Sequence, residues 1–553
     1  MNSLVIAAAA GVLFFLGYSF YGRIVEKLYG ADALRKTPAH EKYDGVDYVP
    51  AKHWTVLFGH HFSSIAGAAP VIGPILALAY WGWVPTIIWI VMGTIFIGGV
   101  HDFGSLMASV RHGGSTIAHV AEGLMSRRAR ILFSVFIWLT LVLVIAVFAF
   151  LCSSTLVEKN EIVIPSFGLI PVALLTGYLL YRGEKWQIPA TVLGLGLLVG
   201  AMILGNIFPV DLGRWSLQIW MVVLLLYCLV ASVTPVHILL QPRDYLSAFL
   251  LFIGLALGYS GLVASHPTVN VPAFLGWKGS PGPQEWPRPL WPILFVTVAC
   301  GAISGFHSLI ASGTTSKQLA SERYARRIGY GGMVAEGLVA ALALLVVASG
   351  LSGHSGLMET LSEGGGPIAA FGDGFSAVTK PFLAGFGGLV AITILNAFIL
   401  TTLDSATRIT RYLTQELFGI RNRIAATFLP VVCAGWLAWG GKWRKIWPVF
   451  GASNQLVAAL ALIVITMWLL SQRKPIRYTL YPGIFMLATT IGSLIYGVVK
   501  HTRSNDLLLA VISLVLLGLS ILLLIEAVVA VRRVKRARGA SSEGALSPSS
   551  TEA

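Results

Sequence analysis

The stretch FGHHFSSIAGAAPVIGP, residues 58–74, decides how this chain is read. It lies inside an apolar run, 55–79, long enough to cross a bilayer, which takes roughly 20 residues. Yet it holds two adjacent histidines, two serines, three glycines and two prolines. Gly67 and Pro70 withdraw helix support, and Pro70 frees the carbonyl of Ala66. Unpaired backbone groups cost several kcal/mol each in hydrocarbon, so irregular backbone at membrane depth survives only against protein or a cavity. The stretch therefore predicts a discontinuous helix lining a polar path.

The surrounding composition agrees. Of 553 residues, 56% are hydrophobic and 11% charged, with mean hydropathy +0.78. A soluble domain carries about 25% charged residues. Fifteen apolar spans are predicted between residues 3 and 531. Alternating their connections from an outer N-terminus places 29 of the 39 Lys and Arg on one side and 10 on the other. The positive-inside rule makes the basic side, and the C-terminus, cytoplasmic. The net charge of +15 thus records topology and contact with the lipid bilayer, and points to no nucleic acid. Residues 1–21 read as a retained peripheral helix, not a cleaved leader. The four cysteines fall in apolar runs without shared spacing and read as packing residues, neither a disulfide set nor a metal site. The outer loop 265–290 reads as an ordered cap, 353–380 as a Gly-rich acidic loop, and 532–553 as a basic, then disordered, cytoplasmic tail.

Two further spans combine helix breakers, hydroxyls and a histidine. In 216–240, Pro235 would free the carbonyl of Ala231, with Ser232, Thr234 and His237 beside it. In 292–315, Ser304, Gly305 and His307 sit near the midplane, and Ser312, Thr314, Thr315 and Ser316 near the cytoplasmic end. Small residues in membrane helices also mark close packing, and a lone histidine can be structural; the concurrence in three spans favours a pathway. The candidate substrate-binding residues are Ser63, Ser64, Gly67, Ala68, Thr234, His237, Ser304 and His307. His60, His61, His101, Asp102, Arg243 and Asp244 are candidates for gating or proton coupling. Asp102 reads equally as an ionised hydrogen-bond acceptor. Asp404 reads as the N-cap of a cytoplasmic interfacial segment, 404–423. Glu336 and Glu526 read as acids paired with neighbouring helices.

Transporters often consist of two inverted five-helix units whose discontinuous helices meet at the midplane. Residues 55–208 and 216–403 predict such units, each opening on an interrupted span. Residues 22–54 form a cytoplasmic segment, and 424–531 peripheral helices. The third helix of the second unit would bring Ser312 and Thr315 to the freed backbone at Ala66, as a cation-like site. The expected fold class is all-α and polytopic, with a 5+5 inverted-repeat core and discontinuous helices.

The opening stretch, together with GGVHDFGSL (98–106), SVRHGG (109–114), QPRDYL (241–246) and SGFHSLIASGTTSKQ (304–318), resembles the carbon starvation protein CstA family. The resemblance covers about residues 50–470. It implies the inverted-repeat fold of the amino acid–polyamine–organocation group and uptake of peptides or, driven by protons, of pyruvate. The expected function is a secondary active transporter of a small carboxylate, with pyruvate favoured over peptides, no cofactor, and H⁺ or Na⁺ as coupling ion. A channel would show a repeated ring of polar groups. A sensing receptor would need a signalling domain or an unknown signalling partner. An intramembrane enzyme would need a catalytic motif. No repeated polar ring, signalling domain or catalytic motif is present, and a sensing receptor acting through an unknown partner, or a channel, stays the alternative of another class.

Overall fold

A computed structural model describes the backbone of residues 1–543, except 181, 281–286, 364 and 440–442. The last stretch expected to be disordered, 544–553, lies outside the described residues. Twelve helices are long and apolar enough to cross a membrane. They include α1 (Ser3–Tyr29), the first in the chain. The opening stretch forms a thirteenth crossing from two half-helices, α2 (Trp54–Ile65) and α3 (Ala69–Trp81), bent by 42° at the break. Ala66 leaves the helical basin at φ −78°, ψ 52°, and a proline stands in the first turn of α3.

The chain continues through α4 (Trp83–Arg111), α5 (Arg127–Glu158), α6 (Asn160–Leu180), α7 (Gln187–Ile207), α8 (Gly213–Val233) and α9 (Leu240–Ser265). The span expected at 292–315 is broken too. Short helical turns at Leu290–Leu294 and Phe295–Thr297 give way at Val298, and α10 (Gly305–Gly313) starts from an extended Ser304. Then come α11 (Glu322–Gly350), a hairpin of α12 (Gly353–Ser362) and α13 (Gly366–Leu383), and α14 (Gly387–Phe418). The shorter apolar α15 (Arg423–Ala438) leads to α16 (Val449–Ser471), α17 (Arg477–Arg503) and α18 (Leu507–Arg532). Twelve or thirteen candidate spans thus stand where the sequence predicts fifteen, because 290–313 is broken and α15 is short.

The two breaks organise the core. Gly73 of α3 abuts the carbonyl of Thr297, so α3 touches the second broken span at its break. The half-helix α3 packs on α11, and the half-helix α10 packs on α4. The longest core helices, α5 and α14, have 32 residues each and lie against one another. Apolar side chains on α1, α7, α8 and α18, such as Phe15, Val192, Leu226 and Ile525, point outward, as lipid contact requires.

Four expectations are corrected. Residues 216–240 hold no mid-span break: α8 is regular to Val233, and the irregular residues 234–239 only join it to α9. There is no separate segment at 404–423, because α14 runs unbroken through Asp404, which is fully buried. Residues 353–380 are helical, since Leu357, Phe371, Phe375 and Val378 bury themselves in the core. Finally, 443–471 is central: α16 packs on α5 and α10. The cap at 265–290 is ordered where described, with Trp81 Nε1 donating to the carbonyl of Arg288 at 2.9 Å.

Candidate functional site

Each break exposes carbonyls that a helix would have satisfied, and each set finds donors on other helices. At the first break, Thr401 and Thr402 of α14 donate their hydroxyls to the carbonyls of Ser63 (2.7 Å) and Ser64 (3.1 Å). Ser405, one turn on, lies 3.1 Å from the Ser64 hydroxyl. The approach requires glycine at 67, where a Cβ would sit 2.7 Å from Thr402 Oγ1. At the second break, Trp89 Nε1 reaches the carbonyl of Val298 (3.1 Å), Thr94 Oγ1 that of Gly301 (3.2 Å), and Gln455 Nε2 that of Ile303 (2.9 Å). Asn454 accepts from the Phe306 amide at 2.8 Å and donates to Ser304 Oγ at 2.9 Å. Gly305 permits this, since a Cβ there would lie 2.2 Å from the Asn454 carbonyl. Accounting for these carbonyls is what lets irregular backbone persist at membrane depth.

Beside the second break runs a chain of ionisable groups, all fully buried. His101 Nδ1 stands 2.7 Å from Asp102 Oδ1, and Asp102 Oδ2 stands 2.8 Å from His307 Nδ1. His307 Nε2 is 3.0 Å from Glu336 Oε2, an ion-pair distance without hydrogen-bond alignment. Helices α4, α10 and α11 are thereby joined by two carboxylates and two imidazoles. Cys300 Sγ, His307 and Glu336 offer ligand atoms within 4.8 Å of one another, a set that could also hold a soft divalent cation. The sequence reading, which saw Cys300 as a packing residue, had no means of placing it there.

Nearer the basic end lies a second buried network. His60 Nδ1 is 2.6 Å from Asp244 Oδ2, and its Nε2 is 3.2 Å from Thr314 Oγ1. Arg243 Nε donates to Asp244 Oδ1 at 3.0 Å, Arg243 Nη2 donates to Asp404 Oδ1 at 3.0 Å, and Arg243 Nη1 donates to Asp404 Oδ2. Tyr227 accepts from Arg243 at 2.6 Å and donates to Asp404 at 2.9 Å. His61 Nδ1 pairs with Thr315 Oγ1 at 2.9 Å. Below this network, Asp47, in the segment between α1 and α2, binds Arg408 (3.0 Å), Arg411 (3.2 Å) and Tyr412 (2.7 Å) of α14. Burial works against the Asp47 carboxylate, but the Arg411 and Arg408 guanidiniums outweigh it and hold it below its ordinary range. The void beside Ala66 and Gly67 measures only about 30 Å³.

The motifs at 58–74, 98–114 and 304–318 thus build one buried assembly, and most of the chain matches a known family. The model of the carbon starvation protein CstA family covers residues 2–359 and 355–493. The chain belongs to this family. It is 33% identical to a Mycobacterium tuberculosis protein named peptide transporter CstA, over 88% of this chain and 74% of that one. It is 30% identical to an Escherichia coli protein named pyruvate/proton symporter BtsT, over 89% and 81%. Among solved structures, an Eremococcus coleocola manganese transporter superimposes with TM-score 0.46 at 15% identity, covering 89% of this chain and 99% of that one.

Most of the residues singled out from the sequence converge, as the family motifs imply. Ala66, Gly67 and Ala68 form the first break, with Ser63 and Ser64 in the last turn of α2 before it; Ser304 and His307 flank the second, and His60, His61, His101, Asp102, Arg243 and Asp244 are buried around them. Thr234 and His237 sit in the connection between α8 and α9. Thr234 is half-buried and bonds its own helix at Val230, and the Ala231 carbonyl, expected to be free, accepts from Arg408 at 2.7 Å. Ser312 and Thr315 do not meet Ala66. Ser312 donates to the Ser308 carbonyl at 2.7 Å and Thr315 pairs with His61. The hydroxyls facing the first break belong to Thr401, Thr402 and Ser405, which the sequence reading missed. It also missed Asn454 and Gln455. The signal was present in TTLDSAT (401–407) and SNQ (453–455), polar clusters within apolar spans.

Proposed function

We propose that the protein is a secondary active transporter of a carboxylate-bearing nutrient, coupled to protons. Its basic end would face the cytoplasm, with the C-terminus there and the N-terminus on the opposite side. The observation that carries this reading is the buried chain His101–Asp102–His307–Glu336, which spans three helices beside the paired breaks. Imidazole is the side chain that titrates nearest physiological pH. Ionisable groups kept at such depth are costly and normally serve a pathway. Protons are favoured over Na⁺ because the carbonyls at the first break are already satisfied by neutral hydroxyls. Half-helix N-termini at the breaks suit a carboxylate.

The packing supports a shifted pair of repeats. The first unit would take α2–α5 with α8 and α9, leaving α6 and α7 as an inserted hairpin. The second would run from the broken span at 290–313 through α16. The exchange of α3 onto α11 and α10 onto α4 is the relation that a two-fold axis in the membrane plane requires. Pyruvate and peptides, the substrates in the relatives' names, both present a carboxylate. Proteoliposome uptake of labelled pyruvate and of dipeptides under an imposed pH gradient tests the proposal. Gradient-dependent accumulation of either supports it, and accumulation of neither refutes it.

A further inference from the structure

A cavity of about 530 Å³ opens at the end of the molecule opposite His60. Its floor is formed where the broken helices converge, by Ile72 of α3 and by Val296 and Thr297 just before the second break. Leu361 of the α12 hairpin and Leu494 of α17 add apolar wall. Three basic side chains line it, Arg288, Lys500 and His501, and among the described residues no Asp or Glu does. The Arg288 guanidinium lies 4.0 Å over the Tyr80 ring, and its Nη1 is buried without a hydrogen-bond partner among the described residues. Lys500 stands close enough to feel its charge. Two cations crowded at the mouth of a largely apolar cavity, one of them with an unmet donor, are the complement of an anion with an apolar body.

We infer that this cavity is an antechamber that binds a peptide by its terminal carboxylate, between Arg288 and Lys500, before the ligand reaches the breaks. The inference rests on the transporter reading for its place in a transport path, but not for the binding itself. The volume falls in the range of roughly 300–1,000 Å³ that drug-sized ligands occupy. It is far larger than a keto acid of pyruvate's size needs. The apolar walls take side chains, and a forked guanidinium suits the planar carboxylate. No acid stands among the described lining residues to meet a free amino terminus. The cavity therefore selects the carboxyl end and is indifferent to the amino end.

Calorimetric titration of the purified full chain with trileucine, its C-terminal amide, its N-acetyl form and pyruvate tests this. Trileucine and N-acetyl-trileucine should bind alike. The amide should bind about tenfold more weakly or worse, the loss expected when charge-assisted hydrogen bonds disappear. Pyruvate should bind more weakly than trileucine. The double variant R288Q/K500Q should weaken trileucine by a similar factor and raise the apparent KM for peptide uptake. Equal binding of acid and amide, or unchanged trileucine binding by the variant, overturns the inference. If the double variant does not fold, the acid–amide comparison on the unaltered chain decides, together with L494W, which fills the cavity and should abolish trileucine binding. Uptake with an unaltered KM in R288Q/K500Q would sink the antechamber and leave the transporter reading standing. Carboxylate-dependent binding without accumulation of any solute would do the reverse.

Discussion

Replacing Arg243 by methionine removes the one guanidinium that holds Asp244 and Asp404 together. All three side chains are fully buried. In the variant Asp244 keeps His60 at 2.6 Å, but Asp404 keeps only the Tyr227 hydroxyl at 2.9 Å. An uncompensated charge is thus left inside the protein. Removing one member of such a pair costs about 3–5 kcal/mol. That is a large part of a typical stability of about 5–15 kcal/mol. The double variant R243M/D404L removes both charges, and replacing a buried pair by apolar groups is often neutral or stabilising. The double variant should therefore be more stable than R243M alone, with a coupling near the upper end of the ~0.5–3 kcal/mol seen for residues in one network. Denaturant titration in mixed micelles, followed by tryptophan fluorescence, measures the stabilities of the parent, R243M, D404L and the double variant. An R243M cost below about 1 kcal/mol, or costs for R243M and D404L that simply add, would refute this account of the network.

Two further outcomes follow from the same geometry. Gly67→Val places branched carbon where a Cβ already falls 2.7 Å from Thr402 Oγ1, so it should prise α14 from the first break and abolish uptake, with Gly67→Ala the milder variant. Asp47→Asn should destabilise the protein at neutral pH. Because the folded-state pKa lies below the ordinary 3.8, the stabilisation is present above that value and is lost as pH falls through the folded pKa. The stability difference between D47N and the parent should accordingly shrink in acid, and a constant difference down to about pH 3 would contradict the pairing.

Much of this was legible in the sequence, and for a stated reason. The membrane class and the break at 58–74 follow from local chemistry: hydropathy, Gly67, Pro70 and the alternation of basic connections. Histidines 60, 61, 101 and 307 were found because an ionisable group inside an apolar span is expensive wherever it sits. What failed needed partners distant in sequence. Asp404 resembled a helix cap, since acids often start helices. Its actual partner, Arg243, lies 161 residues away and could not be paired with it by spacing. Pro235 looked like a midplane breaker, but a proline ending a helix at a connection leaves the same local trace. The second break lies at 298–304 instead of within 216–240, and the hydroxyls that meet the first break stand at 401–405 instead of 312–315. Asn454 and Gln455 were passed over because α16 had been set among the peripheral helices.

The central claim is that the His101–Asp102–His307–Glu336 chain carries the coupling proton. Its most direct test compares Glu336→Gln with the parent protein in proteoliposomes, measuring both pH-gradient-driven accumulation and exchange of labelled for unlabelled substrate without a gradient. The account predicts that E336Q keeps exchange while losing gradient-driven accumulation. Accumulation by E336Q equal to the parent's, at the same imposed pH gradient, would contradict it.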